Sequence, residues 1–221
     1  MQREKISHPA KYTDSFIPIF SDYLPKKGIV LDPFAGTGKI GKIKQYGFEG
    51  KIWANEIEPE WIDPNPYKCD IITHEDAEEI SYNGFVDAIC TSPTYGNRMA
   101  DHHNAKDGSK RNTYTHCLGR TLNSENTGKM QWGKQYQEKH IKIYQNLFRL
   151  LKPGGMFLLN VKNHIRKGEE INVKQFHEKV LTDLGLKKQK ELFVETRGCR
   201  CGKNGNARAK GEYILVFVKE D

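Results

Sequence analysis

Gly28-Ile29-Val30-Leu31-Asp32, running without a break into PFAGTGKIG, constrains this chain more than any other stretch. Three aliphatic residues in a row read as a short buried strand. The glycines behind them permit a tight turn and close approach of backbone to a ligand before a helix opens towards Tyr46. Gly36-Thr37-Gly38-Lys39-Ile40-Gly41 satisfies the GxGxxG pattern in the context that gives it meaning, with a strand before and a helix after. Lys51 to Asn55 reads as a second strand ending at Glu56, Tyr67 to Ile72 as a third and Phe85 to Cys90 as a fourth. Strands spaced by helix-length segments imply βαβ units and a mostly parallel sheet, which makes the chain α/β.

The rest of the chain fits that frame with one interruption. Thr13 to Leu24 predicts an amphipathic helix that Pro18 breaks or starts early. Residues 96 to about 133 are polar, rich in Gly, Asn, His and Lys, and aperiodic; a loop this long in a compact domain is functional or disordered. Period returns in QYQEKHIKIYQNLFRLL, where Ile143, Tyr144, Leu147, Phe148 and Leu151 mark a helical face. Lys152-Pro153-Gly154-Gly155 closes it and Met156 to Val161 reads as a strand. Val173 to Leu184 predicts a helix, and Leu186 to Val194 with Tyr213 to Val218 an antiparallel pair.

At 221 residues the chain is long enough for one domain with a substantial core. No apolar run approaches the ~18–20 residues of a membrane span, and the N-terminus lacks the apolar centre of a secretory signal. The five cysteines (Cys69, Cys90, Cys117, Cys199, Cys201) are odd in number and scattered, as expected of reduced thiols in a cytoplasmic protein. With the histidines His102, His103 and His116 they match no paired ligand spacing, so no metal is expected. A formal charge of +7 favours an anionic partner, nucleic acid above all, and the basic residues concentrate at 106–134 and 197–210.

GxGxxG followed by an acidic strand end serves nicotinamide dinucleotides and S-adenosylmethionine alike, because both present adenosine to the sheet's edge. Glu56 suits ribose hydroxyls in either case. Asp32-Pro33-Phe34-Ala35 tilts the choice. A carboxylate at that strand end suits the positive amino group of S-adenosylmethionine and sits awkwardly beside a pyrophosphate. Asp76, in Glu75-Asp76-Ala77, is placed to accept from adenine's exocyclic amine, with Asp70 as its competitor. Nothing in the chain suggests a hydride acceptor site.

The fourth strand runs into Thr91-Ser92-Pro93-Thr94-Tyr95-Gly96, leaving a hydroxyl, a rigid carbonyl and an aromatic ring at a strand's C-terminal end, where open α/β sheets bind ligands. LDPFAGTG, NEIEPE, EDA and TSPTY in that order, with His8-Pro9-Ala10-Lys11-Tyr12 ahead of them and NARAKGEYILVFVK behind, resemble the motif series of the DNA amino-methyltransferases. That resemblance implies a Rossmann-like class I methyltransferase fold, with a seven-stranded sheet, an antiparallel C-terminal hairpin and a long polar loop after the fourth strand. It implies one domain over 1–221: an N-terminal cofactor-binding segment 1–27, a cofactor half 28–90, the catalytic motif and substrate loop 91–133, and a C-terminal half 134–221. It further implies that S-adenosylmethionine is held by Lys11, Tyr12, Asp32, Pro33, Phe34, Ala35, Gly36, Gly38, Glu56, Ile57, Asp76 and Ala77. The methyl acceptor would be N4 of cytosine or N6 of adenine. Ser92 supplies a side-chain oxygen and Pro93 a backbone carbonyl to the amino group; with Thr94 between them, Tyr95 stacks on the flipped base.

The sequence departs from the family twice. Thr94 replaces the second proline of the motif, which is expected to loosen the loop, and Ser92 is the form frequent among N4-cytosine enzymes. The second departure is that no separate sequence-reading domain is expected. Readout of double-stranded DNA would fall to Arg98, Lys110, Arg111 and Arg120 in the first loop and Arg197, Arg200, Lys203 and Arg208 in the second. His102, Asn112, Tyr114 and Trp132 would reach bases or close over the cofactor. Short polar loops give few base contacts, so selectivity is expected to be low. RNA or another amino-bearing substrate, and a silent methyltransferase fold that only binds DNA, use the same residues. The protein would act as a monomer or homodimer, and by analogy a compact methylase of this kind suits a restriction-modification system or a phage.

Overall fold

The computed structural model describes residues 8–10, 13–96, 113–166, 168–196 and 209–220. Nine strands form among them: β1 Ile29–Asp32, β2 Lys51–Asn55, β3 Ile71–Thr73, β4 Val86–Thr91, β5 Leu151–Val161, β6 His164–Arg166, β7 Glu169–Ile171, β8 Leu186–Glu195 and β9 Gly211–Lys219. The α-helices are α1 Phe16–Tyr23, α2 Pro59–Ile62, α3 Tyr114–Leu118, α4 Lys134–Leu150 and α5 Val173–Asp183. Seven strands make one sheet in the order β3-β2-β1-β4-β5-β9-β8, and β6 pairs with β7 outside it. β1 is parallel to both β2 and β4, and β9 runs antiparallel between β5 and β8. The order reverses between β1 and β4, which opens a crevice beyond their carboxyl ends.

Strand alternation sends side chains to two cores. Val30, Ala88, Cys90, Leu158 and Val216 pack under α1 and the 3-10 helix Lys39–Tyr46. Leu31, Ile89, Phe157, Leu159 and Phe217 pack against Ile143, Tyr144 and Leu147 of α4 and Val180 and Leu181 of α5. Pro18 sits in the first turn of α1, where its missing N–H breaks no helical bond, so the helix is shorter than 13–24 but not kinked.

Four sequence expectations change. The segment after the glycine turn is a 3-10 helix, and its Gly41 admits the Tyr67 carbonyl to 2.3 Å from where a Cβ would stand. β3 starts later than Tyr67, since Asn65 and Lys68 take positive φ (42° and 55°) and the Asn65 side chain bonds the Cys69 backbone to make a turn. β5 absorbs Lys152-Pro153-Gly154-Gly155 through a register skip, with Val86 opposite Leu151 and Ala88 opposite Met156. The polar stretch before α4 holds α3 and a short 3-10 turn, Thr127–Lys129. No helix among the described residues is long and apolar enough to cross a membrane.

Candidate functional site

The glycine turn and the Ser-Pro-Thr-Tyr loop are joined at the crevice by one side chain. Asp32, fully buried at the end of β1, accepts from the Thr91 hydroxyl at the end of β4 (2.9 Å) and from the Phe34 N–H (3.1 Å). Its Oδ1 holds two strand ends together.

Gly36 and Gly38 adopt φ of +54° and +75°, backbone that other residues rarely accept. A Cβ on Gly38 would stand 2.9 Å from both Cys69 Sγ and Ile62 Cδ1, so only glycine packs there. Over Gly36 lies the His8 ring, 3.2 Å from where its Cβ would be. His8 meets Trp61 edge-on (4.3 Å between centroids) and tilts against Tyr114 (5.4 Å), whose own ring is 5.5 Å from Trp61. These rings cap the turn. Tyr114 belongs to this cluster.

Beneath the cap Glu56 is buried, with Oε2 accepting from the Gly36 N–H (2.8 Å) and Oε1 from the Glu58 N–H (3.1 Å). Burial pushes its pKa up to about 7, against the opposing pull of those two N–H groups. Thr37 Oγ1 and Trp61 Nε1 are buried without a hydrogen-bond partner among the described residues. Orphaned polar atoms and a costly carboxylate around a glycine cradle fit a ligand rich in hydroxyls and ring nitrogens, which would satisfy them. Asp76 is less available than expected. Its Oδ2 pairs with Lys139 (2.5 Å) and its Oδ1 accepts from the Glu78 N–H (3.0 Å). Burial disfavours the Lys139 charge, but Asp76, Glu78 and Glu125 outweigh it and raise its pKa. Ala77 is buried in the core below.

The folded-state pKa of Glu56 lies above the ordinary 4.5, so between 4.5 and about 7 the folded chain keeps a proton that the unfolded chain has lost. Its contribution is fully present below pH 4.5 and is lost as pH rises to about 7, in total about 3 kcal/mol. The melting temperature of the parent, relative to Glu56→Gln, is expected to fall across that window. Parallel pH curves for the two proteins would refute the assignment.

In the second loop Ser92 Oγ and Tyr95 Oη are 2.8 Å apart, and Tyr95 donates onward to Glu212 Oε2 at 3.5 Å. Thr94 does not loosen the loop as expected. Its hydroxyl donates to that of Thr127 (2.9 Å), and its carbonyl accepts from the Tyr136 hydroxyl. Tyr136 also meets His177 Nε2 (2.9 Å), and His177 Nδ1 meets the Tyr144 hydroxyl (2.7 Å). Since the one proton of Tyr136 goes to Thr94, Nε2 of His177 must donate and Nδ1 must accept from Tyr144. Burial, and then His140, hold His177 well below the usual histidine range, which keeps it neutral. Trp132 supports the same loop, its backbone N–H donating to the Gly96 carbonyl (2.9 Å). Its ring packs on Tyr136 and Phe176.

Arg120 meets protein carboxylates. Its Nε and Nη2 grip both oxygens of Glu60 (2.7 and 2.6 Å), and Nη2 lies 2.8 Å from Oε2 of buried Glu58 in an ion pair without hydrogen-bond alignment. Glu60 and then Glu58 raise its pKa, so its charge is matched by protein carboxylates. Lys11, Tyr12, Arg98, Lys110, Arg111, Arg197, Arg200, Lys203 and Arg208 lie outside the described residues. Sequence reasoning missed Glu212, Tyr136, His177 and Trp61. Two tyrosines and a histidine on the apolar faces of α4 and α5 were the available signal, because a polar group inside a core needs a partner.

No protein-family model matches the chain, and no curated protein matches it. Solved structures do. TrmN from Thermus thermophilus is 16% identical at a TM-score of 0.54, over 93% of this chain and 47% of that one, so this chain spans about half its length. A SAM-dependent methyltransferase from Methanosarcina mazei is 13% identical at 0.60, over 92% and 97% of the two chains. The N-methyltransferase NodS from Bradyrhizobium japonicum, in complex with S-adenosyl-L-homocysteine, is 10% identical at 0.54, over 93% and 84%. The fold is that of the Rossmann-like class I methyltransferases.

Proposed function

We propose that the chain is one S-adenosylmethionine-dependent methyltransferase domain acting on the exocyclic amino group of a nucleic-acid base, N4 of cytosine or N6 of adenine, with duplex DNA as substrate. The observation that carries this reading is the Asp32–Thr91 bond, which sets the glycine turn beside Ser92-Pro93-Thr94-Tyr95. When bound, the cofactor supplies a methyl group already activated by a sulfonium charge. The protein's share is positioning. Glu56 would accept from ribose hydroxyls, and Phe34, Ala35 and Ile57 would hold the cofactor beside it. An amino group conjugated to a base ring is a poor nucleophile. The Ser92 oxygen and the Pro93 carbonyl, each accepting one N–H, favour the pyramidal nitrogen that carries its lone pair. Net charge of +7 suits the polyanionic substrate.

Purified protein, methyl-deuterated S-adenosylmethionine and unmethylated duplex DNA, followed by nucleoside mass spectrometry, are expected to yield labelled N4-methylcytosine or N6-methyladenine. Label in RNA alone would replace the substrate. No label in either, with the cofactor bound, would sink the reading. Cofactor entry is expected to displace His8 from Gly36, where it meets the Trp61 ring, and so to alter Trp61 emission. Trp61→Phe should remove that change. Hydroxyls donating to Glu56 favour its ionised form, so affinity should rise as pH passes 7.

A further inference from the structure

Transfer of a methyl group to an amino nitrogen leaves one proton too many, and Ser92 is no place to keep it. A serine hydroxyl can accept a hydrogen bond but cannot hold a proton at neutral pH. We propose that Glu212 is the terminal proton acceptor of this site, reached from Ser92 through Tyr95; this rests on the amino-methyltransferase reading above. β9 runs antiparallel to the parallel strands, so its first residues lie at their carboxyl ends, beside the Ser-Pro-Thr-Tyr loop. That is how Glu212, more than a hundred residues along the chain, comes to Tyr95.

The hydrogen-bond directions are consistent with a relay. Tyr95 has one proton and donates it to Glu212 Oε2 (3.5 Å), so in the 2.8 Å contact Ser92 is the donor and Tyr95 the acceptor. Both lone pairs of Ser92 then remain to face the base's amino group. The 3.5 Å span is long for a hydrogen bond, as catalytic contacts often are before substrate arrives. Burial, and then the charge of Glu212, raise the Tyr95 pKa well above its ordinary value, so the phenol passes a proton without stopping as phenolate. The groups facing Glu212 are Tyr95 from the β4 turn and Lys162 beyond β5, 3.8 Å from its Oε1; Lys162 in turn donates to the Thr196 hydroxyl after β8 (3.2 Å).

The step balances. The nitrogen lone pair forms the new N–C bond, and the breaking S–C bond leaves its electrons on sulfur as a thioether. The surplus N–H proton passes to Ser92 Oγ, the serine's own proton to Tyr95 Oη and the tyrosine's to Glu212. Ser92 and Tyr95 end unchanged, and Glu212 ends neutral. With 17% of its side chain exposed, Glu212 can then discharge to water.

Glu212→Gln keeps an acceptor for Tyr95 and removes the base. In cofactor-free protein carrying tyrosine labelled at the ring carbon that bears the hydroxyl, the variant is expected to shift the Tyr95 resonance, assigned with Tyr95→Phe, and leave the other tyrosines in place. On the nucleic acid the parent methylates, its single-turnover rate should fall ~100-fold, with cofactor affinity and melting temperature unchanged. An unmoved Tyr95 resonance overturns the relay alone, and so does a single-turnover rate close to that of the parent. A parent that methylates neither DNA nor RNA, while Glu212→Gln still shifts the Tyr95 resonance, overturns the methyltransferase reading, and this role falls with it.

Discussion

Tyr136→Phe is expected to lower stability by about 2–4 kcal/mol and to cut methyl transfer far more than its distance from the glycine turn suggests. Tyr136 is fully buried, and its hydroxyl is bonded at once to the Thr94 carbonyl and to His177 Nε2. Phenylalanine fills the same space and leaves a carbonyl and a ring N–H with nothing to bond. Each unpaired buried group costs about 1–3 kcal/mol, which for a chain of this size lowers the melting temperature by roughly 5–12 °C. The consequence for function comes through Thr94, whose carbonyl lies between the two residues expected to face the base. Tyr144→Phe is the control. It orphans only His177 Nδ1 and leaves the Thr94 carbonyl held, so it should cost stability while sparing kcat relative to Tyr136→Phe. Equal losses of kcat in the two variants would show that the chain of bonds matters only for folding. A melting temperature unchanged in Tyr136→Phe would show that the bond to Thr94 is not made.

The glycine turn, the strand ends and the motif loop were legible because each is written locally: aliphatic runs, glycines at forced φ and a proline that turns the chain out of the sheet. β1, β2, β4 and the antiparallel β8–β9 pair fall where periodicity places them. What supports the site was not legible. Thr94 read alone is a lost proline, and only the approach of α4 and of Thr127 shows that its carbonyl and hydroxyl are both held. Glu212 read alone is one acidic residue in a terminal strand, and its meaning comes from the antiparallel return of β9. Lys139 and Asp76 are 63 positions apart, so no spacing rule could pair them. Charge was the least legible property of all. A lysine or arginine in a polar loop looks free until the carboxylate it meets is known.

Arg120→Ala separates these two readings of a basic residue and is expected to cost about 3 kcal/mol. Glu58 is fully buried, and its Oε1 accepts from the Asn123 N–H (2.7 Å) and the Asn126 side chain (2.9 Å), while Arg120 faces Oε2. Removing the guanidinium leaves a buried carboxylate with no cation, a loss of about 3–5 kcal/mol where the pair is fully enclosed. Here the arginine side chain is 41% exposed, so water reaches the gap and the lower end applies. The damage should spread to the cap over Gly36. Glu58 precedes α2, which carries Trp61, and Arg120 follows α3, which carries Tyr114, so the ion pair fixes one wall of the aromatic cap to the other. The variant should therefore melt earlier and bind cofactor more weakly, while any binding of the proposed DNA substrate at fixed salt changes little. A phosphate contact predicts the reverse: an unchanged melting temperature, weaker DNA binding and a shallower dependence on salt by about one unit of log–log slope. Arg120→Lys sharpens the comparison, because lysine keeps the charge but cannot grip Glu60 with two nitrogens while facing Glu58. If the bidentate grip is what holds the cap, lysine behaves as alanine does in cofactor binding.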